Sequence, residues 1–320
     1  MTRVRLRRLL LALLAGWCCC GWARAQGLDL AALPSRVGLA PHFQVLLDAD
    51  ARLQPESVLN HADWRPATFQ LLNQGSTAAA LWLRLDLRNG GREPLTRWLA
   101  LGNPRLEWVD LYRFDPERGR LLDTSQAGMA YPPPVPLARG IDAVFGLTLA
   151  PGERARLLLR VRSRTVMAMQ PELWEPLAYL DQKQFDDLLY LLPIGVVFGL
   201  MLYLLANTLA RGNRMLFLLA LWLGLGTLYD LAFHGYLRRY LTPEGSDLAA
   251  RLPHLLGLLS ALMLLFYMQA YLGMRRRRFW RLFFPAVGVG LAVFACSTLF
   301  GDLRGSIASS MLLLTLFYLT

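Results

Sequence analysis

Long apolar stretches fill the last third of this 320-residue chain and limit its fold more than any other feature. The first, residues 188–210, contains 23 residues, and at about 1.5 Å per residue it is long enough to cross a bilayer. Further stretches follow at 215–236, 252–274 and 282–301. A last one, 306–320, has 15 residues and stops short of the roughly 20 that a span requires. Residues 187–320 are therefore predicted to form an α-helical transmembrane bundle with an incomplete fifth helix, and we expect the chain to be a fragment.

Residues 1–25 have the pattern of a secretory signal peptide. Four arginines precede an apolar run at 9–21, whose 13 residues are too few to span hydrocarbon. Ala23-Arg24-Ala25 then supplies the small residues of a cleavage site. Three of the four cysteines leave with this segment, so the mature chain keeps only Cys296. An intramolecular disulfide is therefore not expected, although an exported domain at 26–186 would lie in an oxidising compartment.

The net charge of +11 is unevenly distributed along the chain. Residues 26–186 hold 18 basic and 18 acidic side chains, whereas residues 187–320 hold 11 basic and 5 acidic ones. A neutral exported domain argues against nucleic acid as a partner. The loops at 211–214 and 275–281 carry 7 positive charges, and the opposite loops carry 4. The positive-inside rule therefore places the N-terminal domain outside the cytoplasm, at the periplasmic face of a bacterial inner membrane.

Residues 26–186 are rich in strand patterns. Between 81 and 87 leucine alternates with Trp82, Arg84 and Asp86, a period of two that builds a strand with one apolar face. Similar runs occur at 95–101, 105–114 and 155–161, with turn residues between them. Because no long amphipathic helix separates them, we predict an all-β antiparallel sandwich. Three prolines at 132–134 predict a loop or sheet edge at 131–136.

Several motifs resemble those of one receptor family. They are Leu81-Trp82-Leu83-Arg84-Leu85 with Asn89, Trp98-Leu99, Trp108-Val109-Asp110-Leu111-Tyr112, Leu159-Arg160-Val161-Arg162-Ser163, and a later run with Gly199, Tyr203 and Asn207. In this order, over residues 40–320, the chain resembles bacterial seven-transmembrane receptors with diverse intracellular signalling modules. The resemblance implies a jelly-roll sandwich akin to carbohydrate-binding modules, set on seven helices. It also implies a cytoplasmic output, commonly a histidine kinase or a diguanylate cyclase, which would lie beyond Thr320.

Aromatic and charged side chains on two predicted strands are candidates for ligand contact. Trp82 and Arg84 share the polar face of one strand, and Trp108, Asp110 and Tyr112 share a face of another. Aromatic planes beside charged groups suit a sugar ring or an organic acid. For any single tryptophan we favour core packing, because sandwiches routinely bury such rings.

The predicted sites include further residues whose roles stay open. Arg160 and Arg162 could contact a ligand or simply be solvated. Gly195 and Gly199 form a G-x-x-x-G, for which we favour packing within the bundle over a homodimer. Four residues apart on one helix face, Asp230 and His234 could relay a proton or bind a ligand. Their place near the outer end of a span instead favours snorkelling to water.

No catalytic motif is present in the sequence. The histidines at 42, 61, 234 and 254 do not form H-E-x-x-H, and the chain has no G-x-S-x-G elbow, P-loop or C-x-x-C. Asp48, Asp50, His61 and Asp63 have metal-ligand chemistry, but acids in a polar turn are usually solvated. We therefore expect no enzyme in this segment, no metal and no cofactor.

These observations predict an inner-membrane sensory receptor embedded in the lipid bilayer. Its periplasmic domain would bind a small molecule, and segment 172–187 would pass the change to the helices and then to a cytoplasmic signalling module or partner. The alternative is a transport or envelope-assembly component whose exported domain docks a substrate or partner. Transporters place polar groups near the bilayer midplane, whereas Asp230 and His234 lie near one end of a span, which favours the receptor.

Overall fold

The computed structural model describes residues 27–132, 134–135, 142–241, 247–273, 278–301 and 305. The predicted signal peptide and incomplete fifth span therefore lie outside the described residues. The strands are β1 (Leu28–Asp29), β2 (Arg36–Gly38), β3 (Gln44–Asp48), β4 (Arg65–Pro66), β5 (Asn73–Ser76), β6 (Ala80–Arg88), β7 (Leu95–Ala100), β8 (Trp108–Phe114), β9 (Leu121–Ala127), β10 (Val144–Leu149), β11 (Arg154–Arg162), β12 (Val166–Ala168) and β13 (Glu172–Trp174). The α-helices are α1 (Pro55–Leu59), α2 (Phe69–Leu72), α3 (Pro176–Arg211), α4 (Arg214–Phe233), α5 (Tyr236–Leu241), α6 (Asp247–Tyr271) and α7 (Arg278–Phe300).

Two sheets pack against each other in the N-terminal domain. The larger sheet has the order β4-β3-β6-β11-β8-β9, with β1 added parallel to β6, and the smaller sheet has the order β10-β7-β13-β2. All pairings along both orders are antiparallel. Leucines of β6 and β11 meet Leu99 and Phe145 of the smaller sheet in one apolar core. The predicted all-β antiparallel sandwich is confirmed.

Period-two patterning located the long strands well, because one face of each strand lies in the core. Leucines 81, 83, 85 and 87 of β6 are buried, while the residues between them point to the other face. Strands β7, β8 and β11 occupy most of the predicted runs. In the predicted loop at 131–136, residues 131, 132, 134 and 135 are not in a strand, and the others lie outside the described residues.

Asn89 ties together the turns at one end of the sandwich. Its side chain is fully buried, and its Nδ2 donates to the carbonyl oxygens of Glu93 (2.8 Å) and Leu149 (3.0 Å). Its Oδ1 accepts a hydrogen bond from the Gly91 N–H at 2.9 Å. One side chain therefore satisfies backbone groups of two connections.

Among the described residues, the helices α3, α4, α6 and α7 are long and apolar enough to cross a membrane by length and composition. They form an α-helical bundle in which α4 contacts α3 and α6, and α6 contacts α7. The helix that contains the first predicted span begins at Pro176, well before residue 188. The first turns of α3 carry charged residues, so the apolar run in the sequence does not indicate where the helix starts.

Helix ends are set by capping groups. Gly212, at a φ of 65°, closes α3, and the Asn213 side chain accepts a hydrogen bond from the Met215 N–H (2.9 Å) to begin α4. Gly235, at a φ of 86°, follows the end of α4. A left-handed conformation of this kind costs little only for glycine. The second predicted span therefore ends at Phe233 rather than at residue 236, and the short helix α5 follows.

Candidate functional site

The outer face of the larger sheet, which points away from the sandwich core, carries all five predicted ligand residues. One row of paired residues crosses four strands, from Trp82 to Arg160, Asp110 and Gln126. The neighbouring row pairs Arg162 with Trp108. The predicted ligand residues of β6 and those of β8 come together because β11 lies between these two strands. The sequence pattern does not reveal this strand order.

Trp82 lies beneath a covering segment at residues 49–64, which includes α1. The ring has no solvent exposure and packs with Leu46, Val58 and Leu158. Tyr112 stacks on it at a centroid distance of 6.0 Å. Trp82 therefore belongs to a small apolar cluster on the outer face, and a ligand would reach it only if the covering segment moved.

Arg84 holds the covering segment in place. Its Nε donates to Gln44 Oε1 at 2.9 Å, and its Nη1 donates to the Leu59 carbonyl oxygen at 3.3 Å. The guanidinium carbon lies 4.5 Å from the centre of the Trp64 ring. These contacts occupy the guanidinium, so the structure places Arg84 as a support of the outer face.

One partly accessible region of the outer face is a patch formed by Trp108, Asp110, Tyr112, Arg160 and Arg162, which we call the arginine patch. Asp110 is buried at its centre and accepts a hydrogen bond from the Gln126 side-chain amide at 2.9 Å. The other four residues are partly exposed. The patch carries two guanidinium groups and one carboxylate, so its local charge is positive.

The arginines of this patch have hydrogen-bonding capacity left over. The guanidinium carbon of Arg162 lies 5.6 Å from the Trp108 ring centre, and that of Arg160 lies 5.4 Å from the Trp82 ring centre. Arg160 Nη2 donates to the Ala51 carbonyl oxygen at 2.6 Å. Both Nε atoms are buried and have no acceptor among the described residues. The side chain of Arg162 is partly exposed, and it makes no hydrogen bond to a described residue. Donors without partners in a partly buried site favour a ligand that brings acceptor oxygens.

Two tyrosines complete the polar surroundings of Asp110. Burial raises the pKa of the Tyr131 hydroxyl, and the neighbouring Asp110 carboxylate raises it further. Burial and Asp110 raise the pKa of Tyr112 in the same way. Both phenols therefore stay neutral at physiological pH. The sequence does not mark Tyr131 and Gln126 as residues of the site. They reach the patch only through the pairing of β8 with β9 and through the loop after β9.

Arg164 connects the arginine patch to the helices. Its guanidinium carbon lies 5.0 Å from the centre of the Trp108 ring. Its Nη2 donates to Glu107 Oε1 at 2.9 Å and to Asp247 Oδ1 at 2.6 Å. Asp247 begins α6, so one side chain contacts the patch tryptophan, a buried carboxylate and a candidate membrane helix.

The predicted polar pair of Asp230 and His234 meets a residue of another helix. Tyr190 of α3 donates its hydroxyl hydrogen to Asp230 Oδ2 at 2.7 Å, and its oxygen lies 2.9 Å from His234 Nδ1. Tyr236 stacks on Tyr190 at 5.1 Å. The pair is therefore part of a contact between α3 and the end of α4. Its chemical role stays a prediction.

Gly195 and Gly199 lie on an open face of α3. A Cβ atom built at either position would meet no described atom within 4 Å. The intrabundle packing that we favoured is therefore not seen among the described helices. This face remains available for spans outside the described residues or for a second copy of the chain.

Asp48, Asp50, His61 and Asp63 have metal-ligand chemistry, although the sequence favours solvated turn residues over a metal site. Asp48 accepts hydrogen bonds from the Arg52 and Leu53 N–H groups at 3.2 and 2.9 Å, and so caps a turn. Within the described part of the chain, no group of three or more His, Cys, Asp or Glu side chains is arranged to hold a metal ion.

Comparison with protein-family models identifies both halves of the chain. The model described as 7TMR-DISM extracellular 2 matches residues 40–175, and the model described as 7TM diverse intracellular signalling matches residues 186–320. The chain belongs to the seven-transmembrane receptors with diverse intracellular signalling modules. It therefore comprises the extracellular and membrane parts of a membrane sensory receptor, and both matches are to receptor-type domains rather than to a catalytic domain. A search of the curated proteins finds no match to this chain.

This membership favours the receptor over the transport or envelope-assembly alternative. Helix α3 begins at Pro176, one residue after the extracellular match ends at residue 175, and continues without interruption into the membrane match that begins at residue 186. The two domains are therefore joined by a continuous helix rather than by a flexible linker.

Proposed function

We propose that the sandwich of this receptor binds a small organic anion, such as a sugar acid or a short organic acid, in the periplasm. The observation that carries the proposal is the arginine patch, where the partly exposed Arg160 and Arg162 flank one carboxylate and Arg162 makes no hydrogen bond to a described residue. A guanidinium binds a carboxylate through paired N–H donors, and this geometry favours an anion over a neutral molecule.

The neighbouring aromatic and polar groups give the patch selectivity. Trp108 offers part of its ring surface to an apolar face of the ligand, as in many sugar-binding sites. Asp110 and Tyr112 offer an acceptor and a hydroxyl for ligand hydroxyl groups. Trp82 supports the patch by packing against Arg160. Arg84 supports it by holding the covering segment.

Signal transmission, in this proposal, uses the rigid attachment of the sandwich to α3. β13 ends at Trp174, and α3 begins two residues later at Pro176. Tyr179 in its first turns packs against Trp98 and Trp174, at centroid distances of 5.6 and 5.8 Å. A ligand that favours one position of the sandwich relative to the helices would shift the equilibrium of the inner-membrane bundle. The signal would then reach a cytoplasmic kinase or cyclase output.

The test measures binding to the full chain purified in detergent. Isothermal titration with galacturonate, glucuronate and citrate is compared with titration with galactose and glucose, which lack the carboxylate. We expect an acid to bind and the matched neutral sugar to bind at least about tenfold more weakly, because the charge-assisted hydrogen bonds are missing.

Two variants locate the binding site. Arg162→Gln removes a guanidinium of the patch and should weaken the acid about tenfold or more. Arg154→Gln is the matched control, because Arg154 lies on the same face of β11 but at its exposed start. Equal binding of acids and neutral sugars, or unchanged binding by Arg162→Gln, would contradict the proposal.

A further inference from the structure

A cavity lies where the smaller sheet meets the first turns of α3. Its volume is about 300 Å³, within the range of small-molecule sites. We call it the junction pocket, and the lining residues that matter here are Asp142, Glu172, Trp174, Tyr179, Lys183 and Asp186. The arginine patch lies on the other sheet, so the two sites are separate.

The Tyr179 hydroxyl in this pocket is buried without a partner. Tyr179 is 5% exposed, and its ring packs edge-on against Trp98 and Trp174. Among the described residues, no group hydrogen-bonds to its oxygen. Buried hydroxyl groups are almost always hydrogen-bonded, so an unpaired one beside a cavity indicates that the cavity holds a polar molecule.

Acidic side chains outnumber basic ones around the junction pocket. Lys183 lies between two carboxylates, 3.7 Å from Asp142 and 3.9 Å from Asp187. Glu172 pairs with Arg36 at 2.8 Å. Asp186 accepts a hydrogen bond from the Gln182 amide at 2.8 Å, and no ion pair to Asp186 is found among the described residues. The pocket therefore has a surplus of negative charge.

The aromatic wall of the junction pocket already holds a cation. The guanidinium carbon of Arg36 lies 4.5 Å from the centre of the Trp174 ring. Positive groups bind favourably over the faces of tryptophan and tyrosine rings. Aromatic walls together with unpaired acidic charge are the usual environment of a bound organic ammonium group.

We infer that the junction pocket binds a small organic ammonium compound. An ammonium group here donates hydrogen bonds to the Tyr179 hydroxyl oxygen and to the Asp186 carboxylate, and its carbon chain lies beside Trp174. The compound is either a free amine or the amino head group of a lipid, because both present an ammonium group. It contacts β13 and α3 together, and therefore stabilises their docked arrangement.

The experiment uses the full chain in detergent and two amines, ethanolamine and 1,4-diaminobutane. The controls are ethylene glycol and 1,4-butanediol, which replace each amino group by a hydroxyl group. We expect the amines, and not the alcohols, to raise the melting temperature in a concentration-dependent way.

Three variants test the site itself. Tyr179→Phe removes the unpaired hydroxyl and keeps the ring, and Asp186→Asn removes an exposed charge and keeps the shape. Each should weaken amine binding about fivefold. Asp181→Asn is the matched control, since Asp181 is an exposed acid of the same helix outside the pocket lining. An equal rise in Asp186→Asn and the wild type, or the absence of a rise both with the free amines and with phosphatidylethanolamine, would overturn the inference.

A second arm identifies the source of the ammonium group. The full chain is placed in nanodiscs of phosphatidylglycerol with or without phosphatidylethanolamine. A rise in melting temperature with phosphatidylethanolamine that Asp186→Asn abolishes assigns the site to a lipid head group. A rise with free amines alone assigns it to a soluble amine. A lipid effect that persists in Asp186→Asn, without a free-amine effect, would overturn the inference.

Discussion

At the scale of single residues, Asn89 makes a large contribution to the stability of the sandwich. Replacement by alanine would leave the Glu93 and Leu149 carbonyl oxygens and the Gly91 N–H without this partner. We expect Asn89→Ala to lower the free energy of unfolding of the sandwich by about 2–4 kcal/mol, because each unpaired buried group costs roughly 1–3 kcal/mol. Chemical denaturation followed by tryptophan fluorescence measures the change. Asn60→Ala, at an exposed helix end, should change it little, and equal effects of the two variants would contradict this role.

Asp142 gives a residue-scale prediction with a defined pH dependence. Burial raises the pKa of its carboxyl group, and nearby Lys183 acts in the opposite direction. A carboxyl group whose pKa is higher in the folded state destabilises the fold once it ionises, and this cost develops as pH rises above the unfolded-state pKa of about 3.9. We expect Asp142→Asn to melt at the wild-type temperature near pH 4 and at a higher temperature at pH 7. A lower melting temperature at pH 7 would show that the ion pair with Lys183 dominates.

The tryptophans show how far the sequence predicts the candidate site. Alternation in β6 and β8 places Trp82 and Trp108 on the polar face of their strands, and the structure agrees. The packing in the sandwich core that the sequence analysis favours for such rings is not seen, because neither ring belongs to the apolar core between the sheets. Their environments nevertheless differ, because the covering segment at 49–64 buries Trp82 and leaves Trp108 partly exposed. That distinction depends on a long connection folding back over the sheet. No periodicity in the sequence encodes such a contact.

At the scale of elements, the sequence predicts strands and spans better than their ends. β6 and β11 stand out because the alternation of one buried and one polar face repeats over nine residues in each strand. Helix α3 is different, since its first turns carry charges and its start depends on Pro176 and on packing of Tyr179 against the sandwich. Its start is therefore a tertiary property, and the apolar run locates only the part that can cross the membrane.

The continuity of α3 leads to a prediction about signal transmission. Insertion of two glycines after Tyr179 would interrupt the helix between the sandwich and the apolar run, and should leave anion binding at the arginine patch intact. The ligand-dependent change in distance between the sandwich and the far end of α3 should disappear. Spin labels at Asp123 and Asn213, in a Cys296→Ser background, measure that distance by pulsed electron resonance.

A matched control inserts two glycines at Gly119 in the exposed turn between β8 and β9. This variant should keep both binding and the distance change. A persistent ligand-dependent change after the insertion at Tyr179 would show that α3 is not the transmitting element.

At the scale of the whole molecule, each sheet of the sandwich is attached to a different helix. The smaller sheet continues through β13 into α3. The larger sheet, which carries the arginine patch, reaches α6 through the ion pair of Arg164 with Asp247. Movement of one sheet relative to the other would therefore move α3 relative to α6. A ligand on Trp108 and Arg162 lies next to Arg164, at the start of the second connection.

This arrangement predicts that Asp247→Asn separates binding from transmission. The substitution removes the ion pair of Arg164 with α6 and keeps its ion pair with Glu107. Glu107, which is 2% exposed, therefore keeps its partner. We expect the affinity of the patch and the stability of the sandwich to change little, since a partly exposed ion pair contributes about 0–1 kcal/mol. Hydrogen exchange in the first turns of α6 should lose its response to ligand. Arg164→Gln, by contrast, should also destabilise the sandwich, because it leaves a buried carboxylate without its ion-pair partner. A ligand response that survives in Asp247→Asn would show that the ion pair of Arg164 with Asp247 does not carry the signal.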